Sequence, residues 1–423
     1  VKIDNSPARG TRDLLPATVA RRDHVLAAIV EVYHRFGYQR IETPALENLD
    51  RLTSGQGGEN EKLLFKIMRR GLPDEPEPGT RTSELADLAL RYDLTVPLTR
   101  FYGANHATLP SPFRSLQYGP VWRAERPQKG RYRQFVQCDI DMIGEESVLA
   151  EAELIEATTQ ALAAVGLTGA TVRVSDRRFV AALAQAAGLD EAVWPAFFIG
   201  LDKLDKIGWD GVRTELETKG LPADKVGDAL ERIQKLRELP ATSIADALAD
   251  AVPTLAEDVI ADLATTTASL AESSAVSWEF DPTLVRGMGY YTGQIFEVMH
   301  PGMNSSIAGG GRYDQLIGRS LGKDVPACGF SIGFERIVDL LGDAPAKDSV
   351  AVLFEKDVPA ARAMAVAREL RQEGRTATVL GRRGKFGAQL GRLEEWGFTS
   401  FVHLRADADP AAPLDERPLG ARS

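Results

Sequence analysis

Between Gly119 and Asp141 the chain concentrates charged and aromatic side chains that could form a binding site. The segment GPVWRAERPQKGRYRQFVQCDID reads as two strands joined by a turn containing Pro127 and Gly130. From Arg131 onward a period of two puts Arg131, Arg133, Phe135, Gln137, Asp139 and Asp141 on one face. Tyr132, Val136, Cys138, Ile140 and Met142 take the other, mostly apolar, face. The polar face grades from cationic through aromatic to acidic. That gradient suits a triphosphate, a flat base and an ammonium group.

Further groups point the same way, each with a plainer explanation beside it. Arg123 and Glu125 lie two apart; the arginine could grip a phosphate bidentately, or the two could form an ordinary ion pair. Asp93 and Thr95 share a predicted strand face with Arg91 and could receive an amino group, or form a solvated face. Gly309, Gly310 and Gly311 would weaken a strand, so a ligand or another backbone comes close there, unless they form a bulge. Arg312 and Tyr313 stand at the edge of that run. Arg336 falls in the first turn of a predicted helix, where a cation opposes the helix dipole unless an anion or π-face compensates. A salt bridge with Glu335 would also account for it. Arg286, Tyr290 and Tyr291 surround flexible glycines and could frame a polar ring beside a reacting phosphate, or be two core aromatics and a loop arginine. Taken together they describe nucleotide-dependent activation of a carboxylate, driven by positioning and charge rather than a protein nucleophile.

Around these residues the elements follow from hydrophobic spacing. Residues 17–36 have Val25, Ile29, Val32, Tyr33 and Phe36 on one helical face, with Gly37 placed to end the helix. A strand is expected at about Gln39 to Thr43, a mobile loop over 71–87, and an alternating strand from Leu90 to Val96. Ala-rich helical segments fill about 150–270. Strand-like sequence then resumes over 275–332 and ends in an apolar strand, Pro326–Ile332, that runs into a helix from Gly333. A linker at 342–348 precedes a strand–helix–strand–helix–strand unit at 349–404. Residues 405–423 read as a disordered tail.

At 423 residues, with 44% hydrophobic and 26% charged side chains, the chain has the make-up of a soluble protein of two or three domains. No run is long and apolar enough for a membrane span or a signal core, so a cytoplasmic protein is expected. Cys138 and Cys328 sit in apolar strand patterns and read as buried thiols. The five histidines have no metal-ligand spacing. A net charge of −10 argues against indiscriminate nucleic-acid binding. It leaves room for a local RNA contact through Arg123, Arg126, Lys129, Arg131 and Arg133.

In this order the motifs resemble those of histidyl-tRNA synthetases, a class II aminoacyl-tRNA synthetase family. The resemblance runs through RGTRDLLP at Arg9–Pro16, ETP at Glu42–Pro44, LRYDLTVP at Leu90–Pro97 and the arginine-rich hairpin. It continues through DKLDK at Asp202–Lys206, LVRGMGYY at Leu284–Tyr291, GGGRYD at Gly309–Asp314 and GFER at Gly333–Arg336. It implies an α+β fold whose antiparallel catalytic sheet, over 1–165 and 275–342, is flanked by helices. A helical insertion over 166–274 and a small carboxy-terminal α/β anticodon-binding domain at 349–404 would complete the chain, in a homodimer.

The resemblance also implies roles. Arg123 would bind the ATP α-phosphate, Arg131 would lie near the outer phosphates, Glu125 would face the adenine side, and Phe135 and Arg336 would sandwich the base. Asp93, Thr95 and Gln137 would hold the α-amino group of L-histidine. Asp141 and Tyr291 would read its imidazole, in a pocket lined by Tyr290 and Tyr313. Arg286 would stabilise charge developing at the α-phosphate, and Gln128 would lie near the acceptor end of histidine tRNA. Mg2+ would bridge the phosphates, with no metal cage of protein side chains. Gly289 departs from the family, which usually carries aspartate there, and the carboxy-terminal unit is short. Two alternatives follow: a paralogue passing its aminoacyl-adenylate to a non-tRNA acceptor, and a non-catalytic regulatory subunit of ATP phosphoribosyltransferase.

Overall fold

The computed structural model describes residues 4–53, 60–73, 77, 79–126, 131–237, 244–273, 277–285, 291–342, 348–409 and 413–420. The chain divides into two compact units, one of Val1–Leu14 with Arg22–Gly342 and one of Leu15–Arg21 with Asp343–Ser423.

Helix α1 (Pro16–Arg35), which belongs to the larger unit from Arg22 onward, buries Val25, Ile29, Val32 and Tyr33 there, as their spacing of three and four requires. Gly37, at a φ of 83°, ends it in a conformation that costs glycine least. Strand β1 (Gln39–Arg40) follows, then β2 (Leu46–Asn48), α2 (Leu49–Thr53), β3 (Lys66–Met68), α3 (Thr82–Leu85) and β4 (Ala86–Leu90). The strands β2, β4 and β3 form a small separate sheet, so part of the segment read as a mobile loop is regular structure.

Helix α4 (Thr95–Asn105) corrects the expected strand from Leu90 to Val96. The alternation there is real, but β4 ends at Leu90. Asp93 Oδ1 then accepts the Val96 N–H at 3.1 Å and helps start the helix. Thr95 therefore opens a helix instead of lying on a strand.

Strands β5 (Phe113–Trp122) and β6 (Gln134–Ile143) form the arginine-rich hairpin. Next come α5 (Leu149–Ala164), β7 (Thr171–Asp176), helices α6 (Arg177–Ala186) through α11 (Glu257–Glu272), β8 (Ser277–Phe280), β9 (Gln294–Met299), β10 (Ala308–Arg312), α12 (Asp314–Leu321), β11 (Ala327–Ile332) and α13 (Phe334–Leu340). The main sheet has the order β1-β5-β6-β11-β10-β9-β7-β8. It is antiparallel except where β1 meets β5 and β7 meets β8. Because β7 pairs with β9 in this sheet, the segment expected to be a helical insertion from 166 begins with a sheet strand.

One sheet face carries the core. Cys138, Ile140 and Met142 of β6 pack with Ile29, Val32 and Tyr33 of α1 and Leu154 of α5, while Asp139 and Asp141 point oppositely. Both cysteines are buried free thiols, and burial pushes both thiol pKa values up.

The glycine run sits in an unbroken ladder. Residues 308–312 of β10 pair in continuous register with β11, and Gly310 lies between Phe330 and Phe296. These rings meet edge to face with centroids 4.7 Å apart. A Cβ on Gly310 would stand 2.1 Å from the Gly329 carbonyl oxygen and 2.6 Å from the Phe296 ring. Close packing, not a bulge, accounts for Gly310 and Gly311.

The smaller unit has β12 (Ser349–Phe354), α14 (Ala360–Gln372), β13 (Thr376–Gly381), α15 (Phe386–Glu395) and β14 (Ser400–Leu404), as the pattern over 349–404 suggested. The tail expected to be disordered adds strand β15 (Glu416–Pro418), antiparallel to β14. Glu416 anchors it by accepting from Arg375 at 2.5 and 2.8 Å and from Ser400 Oγ at 2.6 Å.

Gly310→Ala is expected to lower unfolding free energy by about 3 kcal/mol or more through overpacking. Urea titration of the purified variant checks this, and an unchanged midpoint would contradict the packing argument.

Candidate active site

Two adjoining cavities open on the polar face of the main sheet, sharing Arg123, Gln137, Tyr291, Gly309 and Ser331 in their walls. The inner, of about 200 Å³, is lined by Asp93, Thr95, Gln137, Asp139, Asp141, Tyr291 and Tyr313. The outer, of about 340 Å³, is lined by Arg123, Glu125, Arg131, Phe135 and Arg336 over a floor of Ala308, Gly309 and Gly310. The structure therefore brings together all the expected site residues that it describes. Arg286, Tyr290 and Gln128, with Gly289, lie outside the described residues.

The inner cavity is acidic because β6 presents alternate carboxylates to it. Tyr313 donates to Asp141 Oδ1 at 2.5 Å, while Oδ2 is buried with no hydrogen-bond partner among the described residues. Space for this pair depends on Gly329, where a Cβ would lie 2.1 Å from Asp141 Oδ1 and 3.1 Å from the Tyr313 ring. Burial raises the Asp141 pKa to about 7; the Tyr313 hydrogen bond opposes the rise and Asp93 adds to it. Burial likewise raises Asp93 to about 6, against the Val96 N–H and the charges of Arg123 and Arg91. Asp139 is pushed well above the usual carboxylate range by burial and then by Asp141, with the Ser331 hydrogen bond opposing. Carboxylates so placed favour a cationic ligand, which restores their charged forms.

The outer cavity has the opposite character. Arg123 donates through Nε to the Tyr92 carbonyl at 3.0 Å, and its guanidinium carbon lies 5.1 Å from the Phe135 ring centre. The Arg123 N–H bonds to the Arg133 carbonyl at 2.8 Å, so hairpin pairing continues beyond Trp122. Arg131 is mostly exposed and stands 3.4 Å from Glu125, a spacing that leaves its charge available to a ligand. Arg336 donates to the Ser306 carbonyl.

Glu335 is not the partner of Arg336. It accepts from Arg22 at 2.5 and 2.8 Å, from Arg12 at 2.6 Å and from the Val136 N–H at 3.1 Å. Burial pushes the Glu335 pKa up, but Arg22, Val136 and Arg12 outweigh that, and the net shift is downward. Arg12 also lies over the Tyr132 ring at 3.9 Å. The RGTRD segment is thereby tied to the hairpin, helped by the Arg133 N–H to Gly10 carbonyl bond at 2.8 Å.

Two neighbouring arginines serve the scaffold instead of the cavities. Arg91 turns away from the cavity to brace the backbone, donating to the Pro120 and Thr43 carbonyls at 3.0 and 2.7 Å. Arg312 is bound bidentately to buried Glu151 at 2.6 and 2.7 Å, away from the glycine-run cavities. Sequence reasoning also left Asp139 and Ser331 without a role, although Asp139 lay on the predicted polar face.

Residues 10–337 match the family model described as histidyl-tRNA synthetase. The chain belongs to the histidyl-tRNA synthetase family. It is 49% identical to a histidine–tRNA ligase of Leifsonia xyli subsp. xyli, over 98% of both chains, and 41% identical to a probable histidine–tRNA ligase of Tropheryma whipplei, over 97% of both. Its fold superposes on a histidyl-tRNA synthetase from Nostoc sp. PCC 7120 with a TM-score of 0.83 at 26% identity, covering 99% of this chain and 95% of that one. A Bacillus halodurans protein titled an ATP phosphoribosyltransferase regulatory subunit/histidyl-tRNA synthetase shares the fold, with a TM-score of 0.80 at 22% identity, over 96% of this chain and 100% of that one.

In the ligand-free folded chain Asp141 keeps its proton to about pH 7, whereas in the unfolded chain it ionises near ~4. The folded state binds more protons across that window, so this group makes stability fall as pH rises. The unfolding free energy of Asp141→Asn minus that of the parent is expected to rise by about 3–4 kcal/mol from pH ~4 to ~8. Urea titrations at both pH values check this; a flat difference would contradict a buried, destabilised Asp141.

Proposed function

We propose that this chain activates L-histidine with ATP to histidyl-adenylate and transfers the histidyl group to histidine tRNA. The observation that carries this reading is the junction of an acidic cavity with an arginine-lined one, at Arg123 and Gln137. A zwitterion in the first and a polyphosphate in the second would bring a carboxylate to an α-phosphate.

In this reading Asp93, Thr95 and Gln137 hold the α-ammonium, Asp141, Tyr291 and Tyr313 read the imidazole, and Tyr290 shares that task. Phe135 and Arg336 bracket adenine, Glu125 faces the base, and Arg131 lies by the outer phosphates. The carboxylate oxygen of histidine forms a bond to the α-phosphorus as the bond to pyrophosphate breaks. Arg123 and Arg286 stabilise the charge that builds on the α-phosphate oxygens. Because the protein groups only orient and neutralise, pre-arrangement supplies most of the acceleration. Mg2+ suits the phosphates because it binds through phosphate oxygens with one or two carboxylates rather than a protein cage, and it would neutralise charge on the leaving pyrophosphate.

A pocket that pairs both imidazole nitrogens rejects amino acids lacking them, since its polar groups would be left unpaired. Gln128 contacts the acceptor end in this reading. The unit at 349–404 reads the anticodon, and the functional species is a cytoplasmic homodimer. Among the described residues no helix is long and apolar enough to cross a membrane. A regulatory subunit would leave the arginines of the outer cavity without a purpose.

The chain is expected to catalyse ATP–pyrophosphate exchange with histidine alone among the amino acids, and to charge histidine tRNA. Arg123→Ala is expected to lower exchange about 100- to 1000-fold, the usual effect of losing one charge-stabilising donor. Exchange without tRNA charging would favour a paralogue with another acceptor, and no exchange with any amino acid would exclude both enzymatic readings.

A further inference from the structure

We infer that Asp139 and Ser331 are positioning residues that lock the Gln137 amide with its oxygen toward the inner cavity, making Gln137 an acceptor dedicated to a substrate ammonium. This rests on the reading of the inner cavity as the amino-acid pocket.

Strand register brings the three side chains together. Asp139 of β6 lies opposite Ser331 of β11, and Gln137 is two residues along on the same face of β6. Ser331 Oγ donates its one proton to Asp139 Oδ1 at 2.6 Å. The same oxygen accepts from Gln137 Nε2 at 3.2 Å, and Asp139 Oδ2 lies 3.4 Å from that nitrogen. Gln137 Oε1 is buried and has no hydrogen-bond partner among the described residues.

An amide can turn over, exchanging its donor and acceptor ends with little change of shape. With Asp139 ionised, the state that a bound cation favours, the turned amide would set its oxygen against a carboxylate oxygen and against a serine oxygen whose proton is already given away. Two lone-pair contacts would replace two hydrogen bonds in a buried place, where unpaired polar groups are costly. Only one orientation is satisfied, and it leaves Gln137, a residue of the inner-cavity wall, with an unused acceptor. A buried acceptor of that kind suits an ammonium and disfavours a ligand without a donor there. Asp139 and Ser331 thus act on the substrate through Gln137.

The test uses the full chain in histidine-dependent ATP–pyrophosphate exchange, with 3-(imidazol-4-yl)propionate, histidine lacking its amino group, as competitor. The parent is expected to prefer histidine. Asp139→Asn offers an amide donor to Gln137 Oε1 and frees it to turn, so the preference is expected to fall about tenfold or more, as for loss of a hydrogen bond to a charged group. The KM for ATP should stay within about twofold, because uniform loss of fold would move both substrates together. Ser331→Ala should shift the preference in the same direction by less. Asp139→Asn combined with Gln137→Glu should restore it, since a carboxylate accepts from either oxygen and the cavity keeps its charge. An unchanged preference in Asp139→Asn, or equal loss of histidine and ATP affinity in both single variants, would overturn the inference. A double variant no better than Asp139→Asn would do the same. If the parent shows no exchange with histidine, the amino-acid pocket itself is refuted, and the inference falls with it.

Discussion

Three carboxylates share one small buried face, and the rest of the catalytic unit is arranged to tolerate them. Asp139 and Asp141 project from the same side of β6 because a strand alternates, and Asp93 reaches them from the turn before α4. Their neighbours across the sheet are small or polar. Asp141 lies between Ser115 and Gly329, and Asp139 between Gln117 and Ser331. Gly329 leaves the volume that the Asp141–Tyr313 pair fills. The reverse face of the same strand packs into the main hydrophobic core, so the sheet cannot slip register without burying charge in hydrocarbon. A site that binds a cation well is therefore poorly stable when empty, the usual exchange of stability for function.

The arginine side is held by a different device. Glu335 pairs with both Arg12 and Arg22 and accepts from the Val136 backbone, joining the amino-terminal segment, α1, β6 and α13. Arg123, Arg131 and Arg336 are not consumed by that network. Buried ion pairs contribute less to stability than their geometry suggests, because desolvation opposes attraction. Breaking one by removing a single partner nonetheless leaves a buried charge, so Glu335 constrains the cavity wall more than it strengthens the fold.

Much of this was legible in the chain itself. The hairpin was readable because a period of two carried polar and apolar sets on opposite faces, and α1 because Val25, Ile29, Val32 and Tyr33 keep a helical period. The turn at 91–94 was misread because Leu90, Tyr92, Leu94 and Val96 alternate like a strand while serving a turn and a helix start. Strand β15 was missed because its three residues are stabilised by Arg375 and Ser400, not by local propensity. The Glu335 network joins residues more than 300 positions apart, and no spacing rule reports such a pairing. Asp139 was visible on the polar face, but its use depends on Ser331 opposite, and only strand register supplies that.

A crystal structure with histidinol, which lacks the reacting carboxylate, and ATP tests the account most directly. The account predicts the ammonium against Gln137 Oε1 and Asp93, the imidazole between Asp141 and Tyr291, adenine on Phe135 and the α-phosphate at Arg123. Histidinol bound elsewhere, or nucleotide phosphates seated among the three carboxylates, would contradict it.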